Sequence, residues 1–249
     1  MTPLLRLSGA GMRRFLVRSA LVGVLAIAGY GALLLHPQPL FAFSARDAAI
    51  LLHAREPLPP AVQGVLADAR RRLETSPFYD PHATYDAFLC DDVRTFTAFT
   101  LWNRGAGAVS QWDLTGNIFL RPSHVERNRL VGRSGNETPG ERTLSYFIAH
   151  EVTHTMLARR IGRLRYARLQ RWQVEGYADY VGKAGEFDFE KTLAAFKAGT
   201  RELDPKRSGL YLRYHLMVAY LLDRQGMTPE ALLAAPIEKM EVEARLRGF

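Results

Sequence analysis

Cysteine is almost missing from this chain. Cys90 stands alone among 249 residues, so no intrachain disulfide can form. A fold without that cross-link is held by its core, with a bound metal ion as the other available staple. Acidic residues are missing from the start, where Asp47 is the first to occur. Arg6, Arg13, Arg14 and Arg18 all precede it, and removing them from the net charge of +8 leaves +4 on the rest. The later arginines Arg159, Arg160, Arg163, Arg165 and Arg168 fall among helical patterns and read as a solvated face. No nucleic-acid-binding signature accompanies them, so no nucleic-acid partner is expected. Repeats of fixed period and long low-complexity tracts are absent as well. What is present is a globular composition, 47% hydrophobic and 23% charged, enough for one sizeable core.

Residues 19–35, SALVGVLAIAGYGALLL, carry no charge and follow the arginine-rich start. Their length sits at the lower limit for a membrane span and slightly above the core of a usual signal peptide. The next stretch, HPQPLFAFSARD, has small residues at Ala42 and Ala45 but no clean cleavage pattern, which favours an uncleaved anchor over a cleaved signal. The positive-inside rule then keeps the start in the cytoplasm and sends the rest across. The expected product is a membrane-anchored domain on the periplasmic or extracellular side, or a secreted one if the segment is removed. A buried core helix is the alternative. Residues 1–45 are thus assigned to the start, span and linker, and residues 46–249 to a single domain.

Along that domain, SARDAAILLHA reads as a short helix capped by Ser44, and PPAVQGVLADARRRLETS (59–76) as a surface helix with Val62, Val65 and Leu66 at helical spacing. TYDAFLC (84–90) predicts a buried strand, and the apolar run TFTAFTLW (95–102) follows it. NRGAGAVS reads as a turn or loop, GNIFLRP (116–122) as another strand, and 123–140 as a polar surface loop. Thr138-Pro139-Gly140-Glu141 has the makings of a capping box, predicting a helix from there to Ile161 that stops at Gly162. Further helices are expected around 170–181, after Asp188, over 209–225 and from Thr228-Pro229-Glu230, with an amphipathic tail after Pro236. The fold class is α+β: a small strand-containing N-terminal lobe followed by a mainly helical C-terminal lobe.

Within the predicted helix up to Ile161 lies HEVTH, residues 150–154. Positions i and i+4 share a helical face, so both imidazoles can point at one metal ion, with Glu151 placed to reach a water beside it as general base. The five-residue pattern arises by accident in roughly 1% of chains of this composition, so a third ligand is needed. The continuation HExxHxxGxxH is excluded by Leu157 and Arg160. A cysteine ligand of the peptide deformylase kind would have to be Cys90, whose surroundings FLCDD lack that family's glycines. Downstream, WQVEGYADYV offers Glu175 as a third ligand. Asp179, one helical turn on, offers an acceptor for the free ring N–H of a ligating histidine. The competing reading makes both ordinary surface carboxylates.

HExxH on one helix with ExxxD on the next resembles the gluzincin superfamily, the thermolysin-like and "peptidase MA-like" metallopeptidases. The resemblance covers roughly residues 115–235. It implies a zincin-like fold with an edge strand bordering the cleft, for which GNIFLRP is the candidate. It implies one zinc ion on His150, His154 and Glu175, Glu151 activating the water, and Asp179 orienting the first histidine. The family also uses a downstream tyrosine or histidine to stabilise the oxyanion. GLYLRYHLMVAYLLDRQG holds Tyr211, Tyr214 and His215, and a tyrosine nine residues before Tyr220-Leu221 favours Tyr211; core packing is the alternative for each. The expectation is zinc-dependent hydrolysis of peptide bonds outside the cytoplasm, with peptides or proteins as substrates. A catalytically inactive zinc- or partner-binding module at the membrane is the alternative.

Overall fold

The computed structural model describes residues 9–249 apart from 102, 104, 209 and 235. Arg6 of the arginine-rich start, Trp102 at the end of the 95–102 run, Arg104 of the glycine-rich loop and Gly209 at the expected start of a helix lie outside the described residues. The chain is a mixed α+β protein divided into two compact units, one up to Leu40 and one from Phe41 to Phe249. In the first, α1 (Gly9–Leu35) contains a stretch of 24 residues, Met12–Leu35, with mean hydropathy 1.8. At the helical rise these reach about 36 Å, enough for a hydrocarbon core of ~30 Å. This helix is apolar enough to cross a membrane or to serve as a signal sequence.

The second unit opens with β1 (Phe43–Asp47) and β2 (Ile50–Ala54), an antiparallel pair turning at Ala48, whose φ is +47°. This corrects the helix expected for SARDAAILLHA. Ile50–Ala54 is an almost continuous apolar run, and pairing on both sides in the sheet outweighs the local cap signal at Ser44. Next come α2 (Val62–Leu73), β3 (Tyr85–Leu89), α3 (Val93–Phe99), β4 (Ala108–Ser110) and β5 (Ile118–Leu120). The five strands form one sheet in the order β1-β2-β3-β5-β4, parallel along β2-β3-β5 and antiparallel at both edges. The strand of GNIFLRP is therefore interior, between β3 and β4. The edge belongs to Ala108–Ser110, which the flanking glycines had disguised as loop. A two-stranded ribbon, β6 (Ser123–His124) with β7 (Arg129–Leu130), interrupts the polar stretch that follows.

Helix α4 spans Leu144–Ile161, and every residue from Leu144 to Ala158 is buried. It starts five residues later than the sequence pattern suggests. Thr143, not Thr138, is the cap, accepting a bond from the Tyr146 N–H. Gly140 takes φ +64° in the approach loop and Thr138 donates its hydroxyl to Arg142 O, so that loop uses its polar groups in turns. Beyond Gly162 lie α5 (Arg163–Tyr166), α6 (Arg171–Lys183), α7 (Phe189–Ala198), α8 (Pro205–Ser208), α9 (Leu212–Ala219, extended by a π-helical turn over 220–224), α10 (Pro229–Ala234) and α11 (Lys239–Gly248). Gly182 does not end α6; Ala184 does, in left-handed conformation.

Helix α4 packs on β3, β4 and β5 and against α2 and α6; α6 in turn packs on α9. Arg72 of α2, buried, donates to Gly182 O at 2.7 Å and to Asp68 at 3.0 Å, while Asp68 also accepts from Ser145 at the start of α4. One arginine and one aspartate thus fix the ends of both central helices. The approach of α6 to α9 depends on Gly176, where an added Cβ would lie 2.6 Å from Tyr214 O and 2.8 Å from Val218 Cγ2. The atom met first is backbone, so the helices themselves must separate. Gly176→Ala is expected to lower stability by about 1–3 kcal/mol in chemical denaturation; an unchanged midpoint would contradict this packing.

Candidate metal centre

His150, Glu151 and His154 sit mid-way along α4, 4–8% exposed, each offering a ligand atom within 4.8 Å of the others. The two imidazoles are 4.9 Å apart at 80° to one another. From α6, Glu175 brings Oε2 to 3.5 Å from His150 Nε2 and 3.8 Å from His154 Nε2. Donors at 2.0–2.1 Å from a tetrahedral ion stand roughly 3.3 Å apart, so the Glu175 carboxylate is already close to that spacing from each histidine. Two nitrogens and a carboxylate are also the donor set that suits zinc. The buried group of His150, Glu151 and His154 can hold a metal ion.

Protonation differs across the four groups. Burial raises the carboxyl of Glu151 to about 7, in spite of the opposing influence of His150. Burial also acts on Glu175, but hydrogen bonding from His150 and the charge of both histidines outweigh it and hold the group down at about 2. His154 is pushed down to about 4 by burial, whereas in His150 the bond to Glu175 and nearby carboxylates overcome burial and raise the pKa. Near pH 6 the metal-free site therefore holds an ionised Glu175 against a protonated His150, with His154 neutral.

Behind the ligands lies a buried polar layer. His150 Nδ1 is 3.4 Å from the Tyr146 hydroxyl, which donates to Asp179 Oδ1 at 2.5 Å. Asp179 therefore reaches the first histidine through a tyrosine. Its other oxygen, Oδ2, lies 3.0 Å from His215 Nδ1 and 3.2 Å from Lys183 Nζ. Burial would raise the Asp179 carboxyl, but these partners hold it far below the usual range. The second histidine has its own support, His154 Nδ1 standing 2.6 Å from the Tyr166 hydroxyl. Were Nε2 of each imidazole to ligate a metal, its Nδ1–H would be left to donate to the tyrosine beside it.

Tyr211, at the start of α9, stacks on His150 with centroids 5.7 Å apart and planes 8° from parallel. Burial raises its hydroxyl to about 12. It lines two hollows, one of about 390 Å³ whose wall includes Ser110, Trp112, Glu151, His154, Tyr166 and Glu175, the other of about 330 Å³ beside His150. Tyr214 stacks behind Tyr211 and faces Lys239, and His215 is turned to Asp179 and stacked on Phe187 at 3.7 Å; neither lines either hollow. Comparison with protein-family models, curated proteins and solved structures finds no match. The site is read from its own chemistry.

Three contributors escaped the sequence reading. Tyr146 is four residues before His150, the spacing that puts side chains on one helical face, and that signal was available. Tyr166 reaches His154 only because the chain doubles back after Gly162, and Ser110 faces Glu151 only because Ala108–Ser110 is the sheet edge. Neither has a spacing rule. Two outcomes follow. Metal binding near pH 6 should release close to one proton, from His150, with any excess from Glu151; calorimetry in buffers of different ionisation enthalpy measures it, and zero release would refute this charge state. Tyr146→Phe should weaken zinc binding by about 10–100-fold in chelator competition, although Tyr146 is no ligand. Unchanged affinity would show that the relay to Asp179 does not orient His150.

Proposed function

We propose that this protein is a gluzincin-like zinc hydrolase of peptide bonds, held at or exported across a membrane by its N-terminal segment. The observation that carries the reading is the meeting of His150, His154 and Glu175 at one point, with Glu151 beside them in a cleft along a sheet edge. Glu175, held ionised between two imidazoles, suits the third ligand position; Glu151, poised near neutrality, suits a base.

When bound, zinc would polarise the scissile carbonyl and acidify the attacking water. Glu151 takes the water proton and delivers it to the leaving amine, a two-way role that a pKa near 7 serves well. Tyr211, kept protonated by its burial, donates a hydrogen bond to the oxyanion. The free edge of β4 runs along the cleft and offers backbone groups to an extended peptide, which would lie antiparallel or parallel to Ala108–Ser110 as an added strand. The arginines at the start of the chain, Arg6, Arg13, Arg14 and Arg18, favour a non-cytoplasmic catalytic domain.

Glu151→Gln should keep one zinc per chain and lose peptide cleavage by about 10²–10⁴-fold or more, checked by metal analysis and cleavage of a peptide library. Full activity in that variant would sink the mechanism.

A further inference from the structure

The second hollow, beside His150, has an unusual lining. Arg142 and Arg171 enter it, together with Tyr146, Phe147, Tyr211 and the 105–108 backbone, and no Asp or Glu is among the described lining residues. The two cations share a cavity of about 330 Å³ that no carboxylate lines among the described residues. Arg171 is partly engaged, lying 3.7 Å from Glu175 and 6.0 Å from the Tyr211 ring centroid. Arg142 forms no salt bridge among the described residues, and its guanidinium lies over the Phe147 ring, 4.9 Å from the centroid.

That ring is fixed in place. A Cβ at Gly107 would fall 2.7 Å from Phe147 Cε1, so the loop closes directly on it and the wall beneath Arg142 is built rather than incidental. A guanidinium packed over an aromatic face still has N–H groups to offer to a planar, two-oxygen acceptor. The surroundings act in the same direction. Between Glu151 and Glu175 the chain has six arginines (159, 160, 163, 165, 168 and 171) and no acidic residue. Tyr166, Ala167, Leu169 and Arg171 of that stretch line the neighbouring hollow, so an approaching anion meets a positive rim.

We propose that this hollow is a carboxylate-binding subsite, with Arg142 as its specificity-determining residue, and that the cleft selects peptides placing a carboxylate there. The carboxylate is an acidic side chain or the C-terminus of the peptide. This deepens the hydrolase reading and rests on it for the way a peptide crosses the cleft.

The test uses the full chain in detergent, zinc-loaded and carrying Glu151→Gln so that nothing is cleaved. Binding is measured by fluorescence anisotropy for three sets of labelled decapeptides of Ala, Ser and Gln. One has a single Glu walked along an amidated peptide, one has no Glu but a free C-terminus, and one is neutral and amidated. At least one carboxylate set should bind about tenfold more tightly than the neutral one. A gain confined to one Glu position identifies a side chain, and a gain in the free-terminus set identifies the C-terminus. Adding Arg142→Gln should erase the preference while leaving the neutral peptide unchanged, and Arg142→Lys should keep part of it, with melting temperature and zinc content confirming that each variant is folded. Equal binding of all three sets, or a preference that survives Arg142→Gln, overturns the subsite. Cleavage by the unmodified protein is scored separately: carboxylate-selective binding without any cleavage would defeat the hydrolase reading and leave the subsite standing.

Discussion

The domain depends on one buried crossing, that of α4 over α6. Each helix carries ionisable groups four residues apart, His150 with His154 and Glu175 with Asp179, and the crossing turns the two faces toward each other. Gly182 permits the approach, since a Cβ there would press on the Tyr146 ring at 3.0 Å and lie 3.5 Å from the His150 Cβ. Around the crossing the core is apolar on nearly every side, from Ile148 and Val152 of α4 to Trp172 and Val181 of α6. Charged groups are therefore held in a place where water cannot solvate them, and each must be compensated by a partner within the protein or by an ion.

That compensation is organised in layers. Glu175 is satisfied by the two imidazoles, Asp179 by Tyr146, His215 and Lys183, and His154 by Tyr166. Glu151 is the exception. It is as buried as the rest, yet its carboxyl is left near neutrality because no cation is assigned to it alone. A buried acid poised in this way is costly as architecture and useful as chemistry, since it can both accept and return a proton. The same contrast marks the neighbouring hollow, where Arg142 has no carboxylate partner among the described residues.

Much of the centre was legible in the sequence because helical periodicity is a rigid rule. HEVTH and VEGYAD each place two groups one turn apart, and no loop conformation intervenes within either segment. Places where the reading failed share a cause: a strong local signal was overruled by pairing at a distance. Ser44 and the Thr138–Glu141 stretch have good cap chemistry, but the first lies in a strand and the second in a turn leading to the true cap, Thr143. The three-residue edge strand Ala108–Ser110 is too short to show alternation, so its neighbours' glycines dominated the pattern. The bond expected from Asp179 to a ligating histidine is instead a relay through the Tyr146 hydroxyl, and the histidine that Asp179 meets directly is His215.

The central claim is that three side chains from two helices form one inner coordination sphere. X-ray absorption at the zinc edge of the loaded protein tests it most directly. The account predicts only nitrogen and oxygen neighbours at about 2.0–2.2 Å, including two imidazoles, with no sulfur. A sulfur shell near ~2.3 Å, which would bring in Cys90, or a sphere of water alone, would contradict it.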